Sequence, residues 1–177
     1  MHIQLPERRR LRRIRTKSLI NHNPSYTRYT QEGPGHGWMN VITEHIHIKT
    51  RGNTEIHDIT DEAARRLEAS GLTNGTVTIF VQGSTGAVTT IEYEPGLVED
   101  MKRTLERIAP QGIEYRHNLR WGDGNGHSHI RASLLGPSLT IPFQKKRLML
   151  GRWQQIIFID MDNKPRDRDI IIQIMGI

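Results

Sequence analysis

The sequence predicts an α+β domain whose mostly antiparallel sheet is sandwich- or barrel-like and carries two main helices. Three observations predict it. From Met39 to Ile177 the chain is a succession of short segments that alternate apolar and polar residues or form brief apolar runs. Only two stretches place apolar residues at helical spacing between recognisable start and stop signals. No internal repeat or long linker interrupts residues 39–177, so many strands and two helices share a single domain.

The elements follow in order. Residues 1–38 are arginine-rich, then rich in Asn, Pro and Gly, and are expected to be a basic, disordered or locally helical extension, with Met39 as an alternative biological start. Ile42, Ile46 and Ile48 share one parity and mark a strand. Thr60 is a candidate cap, with Asp61 and Glu62 in the positive first turn of a helix. Ile59, Ala63 and Leu67 line one face of that helix, and Gly71 fits its stop. Val77, Ile79 and Val81 form the next strand, Gly83-Ser84-Thr85-Gly86 breaks it, and Ala87 to Tyr93 resumes it.

Pro95 opens the second helix at a tolerated first-turn position. Leu97, Val98, Met101, Leu105 and Ile108 supply its apolar stripe, and Pro110 ends it. Five short strands are then expected at Ile113–His117, His129–Leu135, Leu139–Phe143, Gln155–Met161 and Asp169–Met175. Ile170-Ile171-Ile172 is apolar on both faces, which suits a central strand or a subunit interface. Trp153 reads as a core or interface anchor.

Composition narrows the function classes. The chain has 177 residues and no cysteine, so a disulfide framework, a thiolate zinc site and a cysteine nucleophile are excluded. Its net charge is +6, from 25 Lys+Arg and 19 Asp+Glu. Eight of those bases and only two of the acids lie in residues 1–38, so the remaining 17 of each sign leave the body neutral. A nucleic-acid function would rest on the extension alone and is the weakest class. The longest apolar runs fall far short of the roughly 20 residues a membrane span requires. No apolar stretch follows Met1, and a cytoplasmic protein without membrane attachment is expected.

An isolated histidine reads first as a solvated surface residue. His117, His127 and His129 rise above that reading because the glycine-rich run Trp121-Gly-Asp-Gly-Asn-Gly-His127 feeds the pair. On a strand, His127 and His129 would share a face, and His117 would end the neighbouring strand, so the three are candidate ligands of a divalent ion, Zn or Mg. Glu92, on a strand face otherwise formed by Val88 and Thr90, requires a metal, a base or solvent as partner. Asp100 sits on the helix that follows, where Glu94 and Glu99 read as ordinary helix-start acids. The turn at Gly83–Gly86 lacks the lysine of a P-loop, but its amides with the Ser84 and Thr85 hydroxyls could cradle an anion; a plain hairpin is equally supported. Arg131 is a candidate phosphate fork, as are Arg116 and Arg120 nearby.

Together these segments carry a recognisable pattern: Asp58-Ile-Thr60, Val77-x-Ile-Phe-Val81, Gly83-Ser-Thr-Gly-Ala-Val-Thr-Thr-Ile-Glu92, Pro95 with Asp100-Met101, Tyr115-Arg-His117, Asp123-Gly-Asn-Gly-His-Ser-His129, Ala132-Ser-Leu-Leu-Gly136-Pro-Ser-Leu-Thr-Ile-Pro142 and Leu148-x-Leu-Gly-x-Trp-Gln154. In this order, over about residues 40 to 177, the chain resembles the YjbQ family, also called the secondary thiamine-phosphate synthase family. The resemblance implies a compact domain with a β-sandwich-like core, usually a homotrimer, and a polar cluster around an anion or metal ion. It implies a weak activity joining a pyrimidine pyrophosphate to a thiazole phosphate. The matching positions are Glu92, Asp100, His117 and His129, with His127 beside them. Many members carry a histidine where this chain has Gly83.

The expected function is therefore an enzyme of small phosphorylated metabolites. In it, His117, His127 and His129 hold the ion, Glu92, Asp100 and His129 are catalytic, and Ser84, Thr85 and Arg131 bind anionic oxygen. The alternative is a non-catalytic trimeric protein that binds a metal or a metabolite.

Overall fold

Alternating segments fold into two antiparallel sheets stacked face to face, and helices cover the outer side of the smaller one. The computed structural model describes residues 17–18, 27–32 and 38–177. In chain order the elements are β1 (Lys17–Ser18), β2 (Thr27–Glu32), β3 (Trp38–Thr50), β4 (Glu55–Asp58), α1 (Thr60–Ser70), β5 (Asn74–Val81), β6 (Gly86–Ile91), α2 (Pro95–Ile108), α3 (Arg116–Trp121), α4 (Gly126–Leu135), β7 (Ser138–Gln144), β8 (Arg147–Leu148), β9 (Gln155–Asp160) and β10 (Arg166–Gly176). The larger sheet runs β1-β2-β3-β10-β5-β7-β8 and the smaller β4-β9-β6. Within the expected N-terminal extension, residues 17–18 and 27–32 form β1 and β2, and β2 pairs with the first half of β3. The rest of residues 1–37 lies outside the described residues.

The pattern of period two decides which faces are buried. Ile170, Ile172 and Ile174 of β10 are fully buried, and the register sets them opposite Ile46 and Ile42 of β3 and Val81, Ile79 and Val77 of β5. This inward face meets Ile156 and Phe158 of β9, Val88 of β6, and Ala63 and Leu67 of α1. On β9 the next residues, Ile157 and Ile159, face the other way. They join Ile56 and Ala87 in a second core under Leu105 of α2 and Ala132 of α4. The run Ile156–Ile159 is thus apolar on both faces because it is the middle layer. Each such side chain contributes about 1.5–3 kcal/mol by leaving water. The two-faced run Ile170–Ile172 lies on a central strand, between β3 and β5.

Four details depart from the expectations. Residues expected as the strand Ile113–His117 lead instead into α3, and those expected as His129–Leu135 belong to α4, so there are four helices among the described residues, not two. Thr60 is the first residue of α1 and does not cap it; Asp58 Oδ1 accepts hydrogen bonds from the Thr60 amide and hydroxyl, while Thr60 Oγ1 accepts from the Ile156 amide. Glu92 falls just beyond the end of β6 and is exposed, so it is not a carboxylate on a sheet face. Trp153 is 61% exposed, with the Arg152 guanidinium over its ring, and is not a core anchor of this chain.

Candidate functional site

The glycine-rich run between α3 and α4 turns the chain back on itself. Gly126 is required there by close approach, since a Cβ would stand 2.5 Å from Cβ of Tyr115. The Asn118 side chain accepts a hydrogen bond from the Gly126 amide, and Asp123 Oδ1 accepts one from the Asn125 amide. Asn163, in the β9–β10 loop, donates from Nδ2 to the Asp123 carbonyl and from its amide to Asn125 Oδ1. Two helices and the loop that links the two sheets thus fix the segment that carries Asp123.

These contacts bring His117 of α3, His129 of α4 and Asp123 together, each half-buried. One ligand atom from each lies within 4.8 Å of the other two. The His117 and His129 rings are 4.4 Å apart between centroids, and His117 Nε2 is 3.2 Å from Asp123 Oδ2. The Asn125 amide, followed after an opposing effect of burial by the His117 ring, holds the Asp123 carboxyl below its usual range. Asp123 is therefore a carboxylate at neutral pH, as ligation requires. The donor chemistry fits a divalent ion. In a tetrahedral shell with bonds near 2.0–2.1 Å, neighbouring ligand atoms are roughly 3.3 Å apart, close to the His117–Asp123 separation. Three protein donors without a thiolate are also the number that leaves a coordination position for water or substrate.

His127 is not in this group. It is 1% exposed, and its Nε2 lies 3.2 Å from the Ser128 hydroxyl. Burial, then the positive charge of Arg131, lowers its pKa, so the ring is neutral at neutral pH. Arg131 is also buried. Its Nε and Nη2 donate to the Ala109 carbonyl, its Nη1 to Thr54 Oγ1, and Nη2 also pairs with Glu106. Thr85 is buried, donating to Asp162 Oδ2 and accepting from Arg168 Nη2, whereas Ser84 is exposed at the turn. Glu92 and Asp100 are exposed, and neither joins His117 and His129 among the described residues.

Asp123 is the member that the sequence reading missed. Its signal was the Asp-Gly-Asn-Gly run, in which a carboxylate two residues before an amide caps its own turn.

Thr50, Thr85, Asp160, Asp162 and Arg168 form a buried network, which the exposed Arg166 joins from the surface. Asp160 accepts from Arg168 Nε at 2.7 Å, Arg168 Nη2 at 2.5 Å and Thr50 Oγ1 at 2.5 Å, and it is fully buried. Asp162 accepts from Thr85 and Arg166. A Cβ at Gly83 would stand 3.3 Å from Arg168 Nη1, which places the turn against this network.

A family model described as UPF0047 protein YjbQ-like matches residues 44–177. A UPF0047 protein of Methanothermobacter thermautotrophicus is 37% identical over 139 residues, covering 78% of this chain and 95% of that protein. The UPF0047 protein YugU of Bacillus subtilis is 34% identical, covering 74% and 97%. Among solved structures, a YbjQ-like protein of unknown function from Sulfolobus solfataricus superposes with a TM-score of 0.75 at 34% identity, covering 78% of this chain and 99% of that one.

Proposed function

The chain belongs to the UPF0047 YjbQ-like family, and from that premise we propose that it is an enzyme of small phosphorylated molecules whose divalent ion is held by His117, Asp123 and His129. The observation that carries this reading is the meeting of those three donors within 4.8 Å. Two imidazoles and one carboxylate suit zinc better than magnesium, which favours oxygen ligands. A bound ion would supply charge stabilisation at phosphoryl or pyrophosphoryl oxygen. The chain's own residues orient the donors: the Asn125 amide restrains the Asp123 carboxylate, and Asn163 restrains the backbone that carries it.

The finer reading is a thiamine-phosphate-synthase-like transfer, with a pyrimidine pyrophosphate and a thiazole phosphate as substrates. It is tested by incubating the purified protein and zinc with both precursors. Product formation lost in His129→Ala supports it, and an equal rate in that variant removes the mechanism.

No helix among the described residues is long and apolar enough to cross a membrane. A cytoplasmic homotrimer is part of the proposal, and its support is one exposed apolar patch. Leu119, Trp121, Ile130 and Leu134 of α3 and α4 are exposed next to the histidines, and a second subunit could cover them. Gly83 favours the second reading, a trimeric metal or metabolite carrier, because the imidazole many members place there is missing. Stoichiometric zinc binding without turnover of any phosphate substrate would distinguish it.

A further inference from the structure

Ile46 and Ile48 of β3 turn towards the core, so His45 and His47 stand on the outward face of the larger sheet. The β10 register sets Asp169 directly opposite His47 and Ile171 opposite His45, and Asp169 shares the outward face because Ile170 is buried. This face is on the far side of the sandwich from α4, which packs on the smaller sheet and carries His129.

The Asp169 carboxylate meets both imidazoles. His45 Nδ1 is 2.9 Å from Oδ1 and 3.0 Å from Oδ2, and His47 Nδ1 is 3.6 Å from the same Oδ1. The two rings are nearly parallel, at 12°, with centroids 6.2 Å apart. His45 is within hydrogen-bond reach of the carboxylate, whereas His47 is held just beyond it, with its side chain 72% exposed.

The backbone beneath is fixed from both sides. β10 pairs with β3 from Asn40 to Thr50, and Arg66 of α1 donates from Nε and Nη2 to the His45 carbonyl. Lys49 and Asp167, the next charges along this face, lie opposite each other in the ladder and offset one another.

Two imidazoles and a carboxylate on one strand face are three metal donors. The two separations from Asp169 Oδ1 bracket the roughly 3.3 Å between neighbouring donors of a four-coordinate ion with bonds of about 2.0–2.1 Å. The three do not close within 4.8 Å as the His117 group does, so an ion completes the set by drawing in the exposed His47 ring. All three approach from one side of a sheet, which leaves the outer positions to water and suits the tetragonal nitrogen and oxygen shell of copper(II). Copper(II) also exceeds zinc in affinity for such donors, and a single equivalent of zinc goes to the closer-set His117 group.

We propose that His45, His47 and Asp169 form a second metal site, selective for copper(II). It does not rest on the reading of the His117 group as a zinc centre. The test uses the full-length chain with Asp123 and His129 both replaced by alanine, which disables the first group. Copper(II) is titrated against a chromophoric chelator and followed by electron paramagnetic resonance. One copper(II) per chain is expected, with splitting from two nitrogens. His45→Ala and His47→Ala should each leave one nitrogen and weaken binding by at least the roughly tenfold that loss of an outer partner costs. Asp169→Asn should weaken binding and keep both nitrogens. His47 is exposed, so His47→Ala should leave the melting temperature unchanged and serves even where another variant folds poorly. Absence of binding overturns the proposal. So does binding unchanged in both histidine variants, which would assign the copper to His2, His22 or His36 of the extension. A single-nitrogen signal indifferent to Asp169→Asn, the behaviour of a lone surface histidine, overturns it too.

Discussion

His127 and His129 sit two residues apart on α4 and serve different surroundings: the His129 ring lies 4.4 Å from that of His117, while His127 is buried beside Arg131. A helix turns about 100° per residue, so side chains two apart diverge by about 200°. Ion affinity should therefore depend on one histidine and not the other. His129→Ala should weaken zinc binding by about 100-fold or more, and His127→Gln by less than about threefold, as measured by competition with a chromophoric chelator.

Asn163 touches no ligand atom of the histidine group but restrains the Asp123 carbonyl and Asn125. Outer partners of this kind typically change metal affinity by about 10–100-fold. Asn163→Ala should fall in that range by the same competition, with secondary structure by circular dichroism unchanged.

Arg168 and Asp160 form a buried two-point pair between the sheets. Breaking such a pair from one side leaves an uncompensated charge and costs about 3–5 kcal/mol. Asp160→Ala should lower the unfolding free energy by that amount in urea, and replacing Asp160 and Arg168 together by apolar residues should cost less than the single change.

Asp162 determines part of the acid limit. Burial raises its pKa, but the hydrogen bonds from Arg166 and Thr85, the Arg166 charge and the Lys164 amide outweigh it and hold the carboxyl below its usual 3.8. A depressed folded value means the unfolded chain binds the proton first. The contribution is complete above the unfolded value and is lost as pH falls through the folded one. Stability should decline below about pH 4, and Asp162→Asn should flatten that decline in urea melts taken between pH 2 and 7.

The sheets were legible because their chemistry is local. Val77, Ile79 and Val81 alternate, and Pro95 opens a helix whose stripe repeats through Leu105. Glu94 proved to be a helix-start acid, accepting from the Gly96 and Leu97 amides. Helix α4 was not legible. It has no side-chain N-cap, and its buried positions include Gly126, His127, Ser128 and Arg131, which carry no apolar stripe. The segment Ile113 to His117 alternates like a strand, yet packs as the lead into a six-residue helix. The spacing of His127 and His129 predicts a shared face on a strand, and the helix separates them. His117 and His129 meet through tertiary packing instead, and that packing supplies Asp123, which no spacing rule linked to them.

X-ray absorption on the zinc-loaded protein is the most direct test of the account. One ion per chain should be found, in a nitrogen and oxygen shell at about 2.0–2.1 Å with two imidazoles, and Asp123→Ala should lose one oxygen donor and most of the affinity. Zinc that fails to bind stoichiometrically, or binds equally well when Asp123 and His129 are both alanine, would contradict it.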